Sequence, residues 1–279
     1  MYNECFYGIK NTWLKGIYKM HLADDMIYDN ELLEINEKTL FKHAFTNIDL
    51  LSGKPNAIVL EFHGLGATKA ATLREAGKYE DFEREFAKKN VLTVFPYYGF
   101  WAWMNDRSAK YVDMIIEAVC KITGVDPHAV PIISTGTSMG GLSAILYSKK
   151  AAITPRACFA SCPVIDLVAF AAHPYVPGYI RTVYSTRAAD DMGNALREHS
   201  PYHVVPYLPR IPYYIVYGGK DTAVLPELHS KKFKVRMEEY GHDITVIEAP
   251  ECGHIYPYYY PKDIQDAYFC GILKFCLQD

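Results

Sequence analysis

Three residues of the types that carry out nucleophilic catalysis occur in the order serine, aspartate, histidine, and each follows a predicted strand. Ser138 lies in the pentapeptide Gly136–Gly140, whose pattern GxSxG separates an apolar, β-branched segment from a run of good helix formers. Asp221 and His254 follow further along the chain, each directly after a glycine-containing turn. A serine so placed can attack a carbonyl carbon while the histidine takes its proton and the aspartate orients the imidazole.

Each of these residues also has an ordinary structural interpretation. Ser138 is a suitable helix cap, and Asp221 suits a turn in a Gly-Gly-Lys-Asp-Thr context.

Asp166 follows the strand before that of Asp221 and is therefore a rival for the role of the acid. His63 precedes a Gly-Leu-Gly loop, which we expect it to order. Three further histidines fall in a proline-rich span and are expected to be structural or solvent-facing: His173, His199 and His203.

The elements that must position these residues alternate between strand and helix from residue 57 onward. The strands are near-continuous apolar runs, which is typical of a mainly parallel sheet covered by helices on both faces. The carboxyl ends of such strands meet at one edge, where functional residues collect. The predicted strands cover about 57–63, 90–96, 130–135, 156–162, 211–217 and 243–249, and the predicted helices about 68–89, 108–123, 225–240 and 261–277.

We interpret residues 1–279 as a single domain, because 279 residues, half of them apolar, suffice for one large core. The first 50 residues are the least readable. Residues 164–208, just before the strand that carries the acid, contain repeated prolines and are predicted to form a cap or lid insertion.

Composition and motifs exclude several classes of function. The net charge is −3 and basic residues are scattered, so neither nucleic acid nor an anionic membrane is an expected partner. No signal peptide or transmembrane run is recognisable, and the seven cysteines form no Cys-x-x-Cys pair, so we expect a cytoplasmic protein with reduced thiols. No metal site and no phosphate-binding loop is evident, and no cofactor is expected. The oligomeric state stays open, a homodimer included.

Aromatic residues are expected near the serine. The loop over residues 97–103 leaves the strand beside the one that carries Ser138, and further tyrosines lie in the cap span and after His254. For any one of them, packing of the cap against the core is the simpler explanation. Together they predict a pocket for an aromatic acyl group or a sugar ring, formed by Tyr98, Trp101, Trp103, Tyr175, Tyr179 and Tyr256.

Residues 124–141, 217–226 and 253–254 carry a resemblance to the α/β-hydrolase superfamily, in its prolyl oligopeptidase-like and small esterase branch. The resemblance extends over about residues 55–279 and implies the α/β-hydrolase fold. It also implies roles for the site: Ser138 as nucleophile, with the backbone amides of Leu65 and Met139 as the oxyanion hole.

The resemblance implies a serine hydrolase, and we expect a carboxylesterase that acts on small or carbohydrate-linked acyl esters. The alternative is a peptidase or amidase of the prolyl oligopeptidase type. The peptidases of that family usually carry a large β-propeller, for which a chain of 279 residues has no room. A third possibility is a non-catalytic binding protein on the same fold, which would not require serine, aspartate and histidine in this order.

Overall fold

A computed structural model describes residues 35–67, 72, 78–99, 103–171 and 192–278. The described residues contain one sheet of seven strands in the order β1-β3-β2-β4-β5-β6-β7. The first strand is antiparallel to β3, and every other neighbouring pair is parallel. The strands are β1 (Ala44–Thr46), β2 (Ala57–Phe62), β3 (Val91–Pro96), β4 (Ile132–Thr137), β5 (Ala157–Ser161), β6 (Tyr213–Gly218) and β7 (Ile244–Ala249).

Helices connect the parallel strands and cover the sheet. Within the described ranges they are α1 (Asp81–Ala87), α2 (Asp106–Thr123), α3 (Met139–Lys150), α4 (Leu167–Ala171), α5 (Met192–Glu198), α6 (Pro201–Val204), α7 (Ser230–Glu239) and α8 (Lys262–Leu277). Short 3-10 turns cover residues 40–42, 48–50, 205–207 and 257–259. None of the helices described is both long enough and apolar enough to cross a membrane.

The sheet is buried on both faces, as the continuous apolar runs predict. Along β2, Leu60 packs into a core shared with α2, α3 and α7, whereas Val59 packs into a second core with α1 and α8. Both side chains are buried because successive residues of a strand point to opposite faces. The predicted parallel sheet with helices on both faces is therefore confirmed.

The helix predicted over about 68–89 is confirmed at Asp81–Ala87 but is not continuous, because this helix begins only at Asp81. Its start is fixed by a capping interaction, in which the backbone amide of Glu80 donates to the side chain of Glu83 at 2.5 Å. Residues 78–80 are not helical, and of 68–77 only Thr72 is described. The alternating charge pattern of this segment does not show that a helix begins in its middle.

The structure describes parts of two regions that are hard to interpret from sequence, residues 1–50 and 164–208. Among residues 35–50, one strand forms, β1, which extends the sheet beyond β3. In the predicted cap span of 164–208, the described residues form α4, α5 and α6, which bury apolar side chains such as Leu167 and Leu196 in the core. A cap over the site stays a prediction, because residues 172–191 lie outside the described ranges.

The register of the parallel strands aligns their carboxyl ends. Phe62 of β2 pairs with Gly136 of β4, and Thr137 of β4 pairs with Ser161 of β5. Gly218 of β6 pairs with Ala249 of β7. The segments that follow these strands therefore lie along one edge of the sheet, and they contain the residues predicted to do chemistry.

Candidate active site

The turn from β4 to α3 holds Ser138 in a backbone conformation that non-glycine residues seldom adopt. Its φ is 62° and its ψ is −119°, and it is the residue immediately before the helix. Its amide donates to the carbonyl of Ser161 at 2.9 Å, and its carbonyl accepts from Leu142 and Val164 at 3.1 Å each. The backbone is thus fixed at three points. The side chain remains partly exposed, and its hydroxyl makes no hydrogen bond among the described residues.

The close packing of this turn requires a glycine at position 140. A Cβ there would lie 1.9 Å from the carbonyl oxygen of Phe62, the last residue of β2. The backbone of Phe62 leads directly into the loop after β2, which comes beside Ser138: a Cβ on Gly64 would lie 3.9 Å from the Ser138 Cβ. The GxSxG pattern therefore reflects contact between the turn and this loop.

Alanine at Gly140 is expected to destabilise the fold by about 3 kcal/mol or more, because the new methyl group meets backbone rather than a movable side chain. Denaturant unfolding would measure the loss. Gly53→Ala is the matched control, since nothing lies within 4 Å of its added Cβ. Equal stability of the two variants would show that the turn is not packed as described.

Asp221 lies in the turn after β6 and is held by backbone amides. Its Oδ1 accepts from the amides of Ala223 and Val224 at 2.9 Å each, and the residue is 3% exposed. Its Oδ2 is 2.7 Å from Nδ1 of His254. Because the carboxylate is an acceptor, His254 donates from Nδ1, which leaves Nε2 as the nitrogen that can accept a proton.

The turn that carries the acid and the loop that carries the histidine are packed against each other. The amide of Lys220 donates to the carbonyl of Cys252 at 2.8 Å. A Cβ on Gly218 would lie 2.2 Å from the carbonyl oxygen of Gly253, so a side chain at that position would separate the two loops. These backbone contacts place Asp221 and His254 together across 33 residues of sequence.

The surroundings of His254 shift its proton affinity. Burial lowers the pKa of the ring, but the hydrogen bond to Asp221, a contact with Cys162 and the negative charge of Asp221 outweigh burial and raise the pKa above its ordinary value of 6.5. Asp221 therefore stabilises the imidazolium that forms when His254 takes a proton. This is the part that the sequence interpretation assigned to the aspartate.

Asp166, the rival acid, makes its contacts away from His254. Its Oδ2 accepts from Nζ of Lys232 at 2.9 Å, and its Oδ1 accepts from the amides of Val168 and Ala169 at the start of α4. Lys232 lowers the pKa of Asp166 in spite of its burial, which on its own would raise that pKa. The carboxylate anchors α4 to α7 and is not the hydrogen-bond partner of His254.

The loop after β2 positions the proposed oxyanion donor Leu65. The amide of Ala67 donates to the carbonyl of Gly64 at 3.4 Å, which closes a turn around Leu65. Nδ1 of His63 lies 3.0 Å from the same carbonyl, and its ring stacks on Tyr98 with centroids 4.4 Å apart. Between described residues, no hydrogen bond uses the amides of Leu65 or Met139. Both amides are therefore without a protein acceptor in the described part of the chain, as the predicted oxyanion hole requires.

Two of the predicted pocket residues are in the core instead. Tyr98 and Trp103 are fully buried, so their assignment to the pocket is wrong. The hydroxyl of Tyr98 donates to the carbonyl of His63 and accepts from the hydroxyl of Ser143, and these bonds satisfy its polar end inside the protein. Trp103 packs edge-on against Phe170 of α4. Three other candidates lie outside the described residues: Trp101, Tyr175 and Tyr179.

A cavity of about 300 Å³ lies between the end of β2 and the loop after His254, and residues of α1 and α8 also line it. Of the six predicted pocket residues, Tyr256 lines it. Its hydroxyl would lie 3.4 Å from a Cβ on Gly64, and that Cβ would lie 3.9 Å from the Cβ of Ser138. Its ring stacks on that of Tyr258 with centroids 5.4 Å apart. The main lining side chains are Glu61, Phe82, Phe95, Tyr256, Tyr258 and Phe269.

The sequence interpretation missed Cys162, which it counted among the reduced core thiols. The residue directly follows β5, is 1% exposed and has a φ of 42°. Its amide donates to the carbonyl of Val216, and its sulfur lies 3.0 Å from the hydroxyl of Tyr260. The available signal was its position at the carboxyl end of a predicted strand, where functional residues collect.

Comparison with known proteins rests on structure. No protein family model matches the sequence. No curated protein sequence matches it either.

Solved structures with the same fold are hydrolases of several kinds. A truncated carbohydrate esterase from gut microbiota superposes with a TM-score of 0.63 at 12% identity, over 87% of this chain and 99% of that chain. Acylaminoacyl peptidase of Pyrococcus horikoshii gives 0.62 at 14% identity, over 81% of this chain but 37% of that chain. Esterase B of Lactobacillus rhamnosis gives 0.58 at 15% identity, over 80% and 76%.

These similarities confirm the predicted α/β-hydrolase fold, and the sheet order and the position of the turn after β4 agree with it. The chain shares this fold with the two esterases and the peptidase named above. It spans 37% of the length of the acylaminoacyl peptidase that it resembles.

Proposed function

We propose that this α/β-hydrolase domain is a serine hydrolase that cleaves carboxylic esters, with Ser138 as nucleophile, His254 as general base and Asp221 as its orienting acid. One observation supports the proposal most strongly, namely that two parts of the candidate site lie at the same edge of the sheet. One is a partly exposed serine in a strained turn, and the other is the hydrogen-bonded pair of Asp221 and His254.

The proposed reaction passes through an acyl-enzyme. Oγ of Ser138 attacks the ester carbonyl carbon while Nε2 of His254 accepts the hydroxyl proton. The oxyanion that forms receives hydrogen bonds from the amides of Leu65 and Met139, the latter at the N-terminus of α3. The imidazolium then protonates the leaving alcohol, and water, activated by His254, releases the acid.

The proposal favours esters over amides for two reasons. The truncated carbohydrate esterase from gut microbiota matches this domain over 99% of its chain, whereas the acylaminoacyl peptidase has nearly two thirds of its chain outside the match. An alkoxide leaving group also needs less assistance than an amine. Peptidase activity is the second candidate, and the TM-score of 0.62 with the acylaminoacyl peptidase supports it.

Parallel rate measurements separate these two candidates. We expect p-nitrophenyl esters of short acyl groups to be hydrolysed with a kcat/KM far above that of aminoacyl and N-acyl-aminoacyl p-nitroanilides. Acetylated sugars would then test the carbohydrate-linked class. Faster cleavage of anilides than of esters would replace the esterase proposal with the peptidase one. Hydrolysis of neither, by protein whose fold is verified, would support the non-catalytic alternative.

We propose that the cavity lined by Tyr256 binds the ring of an aromatic acyl group or a sugar. Phe82→Ala and Tyr256→Ala are expected to lower kcat/KM for arylalkanoyl esters about 10- to 100-fold relative to acetyl esters, because each removes one face of the cavity. Tyr207→Ala is the control, since that side chain is 71% exposed and does not line the cavity. An unchanged ratio of aryl to acetyl rates in both variants would place the ring elsewhere.

A further inference from the structure

Three donor atoms of different kinds meet beneath the candidate active site. They are Sγ of Cys162, a carboxylate oxygen of Asp221 and a ring nitrogen of His254, and they lie within 4.8 Å of one another. Cys162 and Asp221 are buried, whereas His254 is partly exposed towards the site. The proposed hydrolysis uses the aspartate and the histidine but gives the thiol no part.

Sulfur, imidazole nitrogen and carboxylate oxygen form a donor set that suits a borderline divalent cation. Zn²⁺ binds these atoms at about 2.3 Å, 2.0–2.1 Å and 2.0–2.2 Å, in tetrahedral geometry. Donors around such an ion are themselves about 3.3–3.8 Å apart, so a modest rearrangement of side chains brings the three into range. We propose that Cys162, Asp221 and His254 form a binding site for Zn²⁺ that switches the hydrolase off.

The neighbouring groups support this set of ligands. The hydroxyl of Tyr260 lies 3.0 Å from Sγ of Cys162 and can donate to the sulfur once it is a thiolate. Oδ1 of Asp221 is held by two backbone amides, which leaves Oδ2 as the oxygen for the cation. Ligands whose orientation is fixed by such outer contacts bind a metal more tightly than mobile ones.

The geometry also selects the histidine nitrogen. Nδ1 is the ring atom that faces the carboxylate, at 2.7 Å from Oδ2, so a cation held by that oxygen takes Nδ1. The cation takes the place of the proton that Nδ1 donates to Asp221. The neutral ring then carries its proton on Nε2, and the thiol releases its proton to solvent. For each cation bound, Zn²⁺ forms one bond each to nitrogen, sulfur and oxygen, and one proton is released to solvent.

Occupancy of this site would stop the proposed reaction without touching Ser138. With its proton on Nε2, His254 cannot accept the proton of the serine hydroxyl. Inhibition by Zn²⁺ is therefore expected to be reversible by a chelator. This consequence rests on the proposed function, whereas binding of the cation does not.

Binding is tested directly with Co²⁺, which reports a thiolate ligand by its charge-transfer absorption. The full chain is expected to bind one Co²⁺ with this band, and Zn²⁺ should displace it. The band should disappear in Cys162→Ser and Cys162→Ala and persist in Cys270→Ser, which removes an exposed thiol. X-ray absorption of the unmutated protein with Zn²⁺ should show one sulfur at about 2.3 Å, even if the Cys162 variants fail to fold.

Inhibition is then measured relative to the zinc-free rate of each variant. The concentration of Zn²⁺ that halves ester hydrolysis should rise at least tenfold in the Cys162 variants and stay unchanged in Cys270→Ser. Absence of a thiolate band, or a band that Cys162 substitution leaves intact, overturns the site. Binding without inhibition overturns the switch. If the protein hydrolyses no ester at all, the cobalt and X-ray measurements still decide whether the cation binds.

Discussion

Alanine in place of Ser138 is expected to lower kcat/KM for ester hydrolysis by about 10⁴-fold or more, because the proposed acyl-enzyme forms on the serine hydroxyl. The stability of the protein should change little, since the hydroxyl makes no hydrogen bond among the described residues. Steady-state kinetics with a p-nitrophenyl ester, together with thermal unfolding, would measure both effects.

The matched control for Ser138 is Ser148→Ala in α3, the helix that begins directly after Ser138. Its hydroxyl donates to the carbonyl of Ile145 and faces the hydroxyl of Tyr213, away from the site. This variant should lose some stability and keep its activity. The account of the nucleophile would be wrong if Ser138→Ala kept its rate or if both variants lost it equally.

Asparagine in place of Asp221 is expected to lower kcat by about 10⁴-fold while leaving the turn intact. The side-chain oxygen of Asn would still accept from the amides of Ala223 and Val224. Its NH₂ group, however, would face His254, and Nδ1 would have to accept a hydrogen bond. The ring proton would then move to Nε2, where it prevents uptake of the proton from Ser138.

Asp166→Asn provides both the control and the test of the rival acid. It should keep kcat, because the carboxylate of Asp166 contacts Lys232 and the start of α4 rather than His254. It should also melt at a lower temperature, because Lys232 loses the charged partner that lies buried beside it. A loss of kcat in Asp166→Asn that matched that of Asp221→Asn would contradict the assignment of the acid.

Much of this arrangement can be predicted from the sequence because its parts are local. The turn at Ser138 requires small residues at fixed positions, and Asp221 and His254 each follow a strand, so strand alternation alone sends all three to one edge. The fold class follows from the same alternation. A strand that is apolar along its whole length must be buried on both faces, and parallel sheets bury their strands in this way.

The aromatic pocket could not be predicted in the same way, because it depends on which direction each ring takes. Tyr98 was assigned to the pocket from its place in a loop, yet its hydroxyl finds partners inside the core. Phe82 and Phe269 line the cavity from helices α1 and α8, where they resemble ordinary core positions. Ring direction is set by tertiary packing, which leaves little trace in the local pattern.

Cys162 was missed for a different reason. It precedes Asp221 by 59 residues, and a single cysteine in an apolar strand region is most often a core thiol. Its relation to Asp221 and His254 arises because β5 lies directly beside β6 in the sheet. Strand order across the sheet, which the sequence leaves open, therefore decides whether this thiol faces the site.

The central claim is that Ser138 is an activated nucleophile, and reaction with a fluorophosphonate probe tests it most directly. The folded protein is expected to take up one equivalent of the probe, and mass spectrometry of its peptides should place the label on Ser138. Labelling should disappear in Ser138→Ala and slow strongly in Asp221→Asn. Folded protein that takes up no probe, or that carries the label on another residue, would contradict the claim.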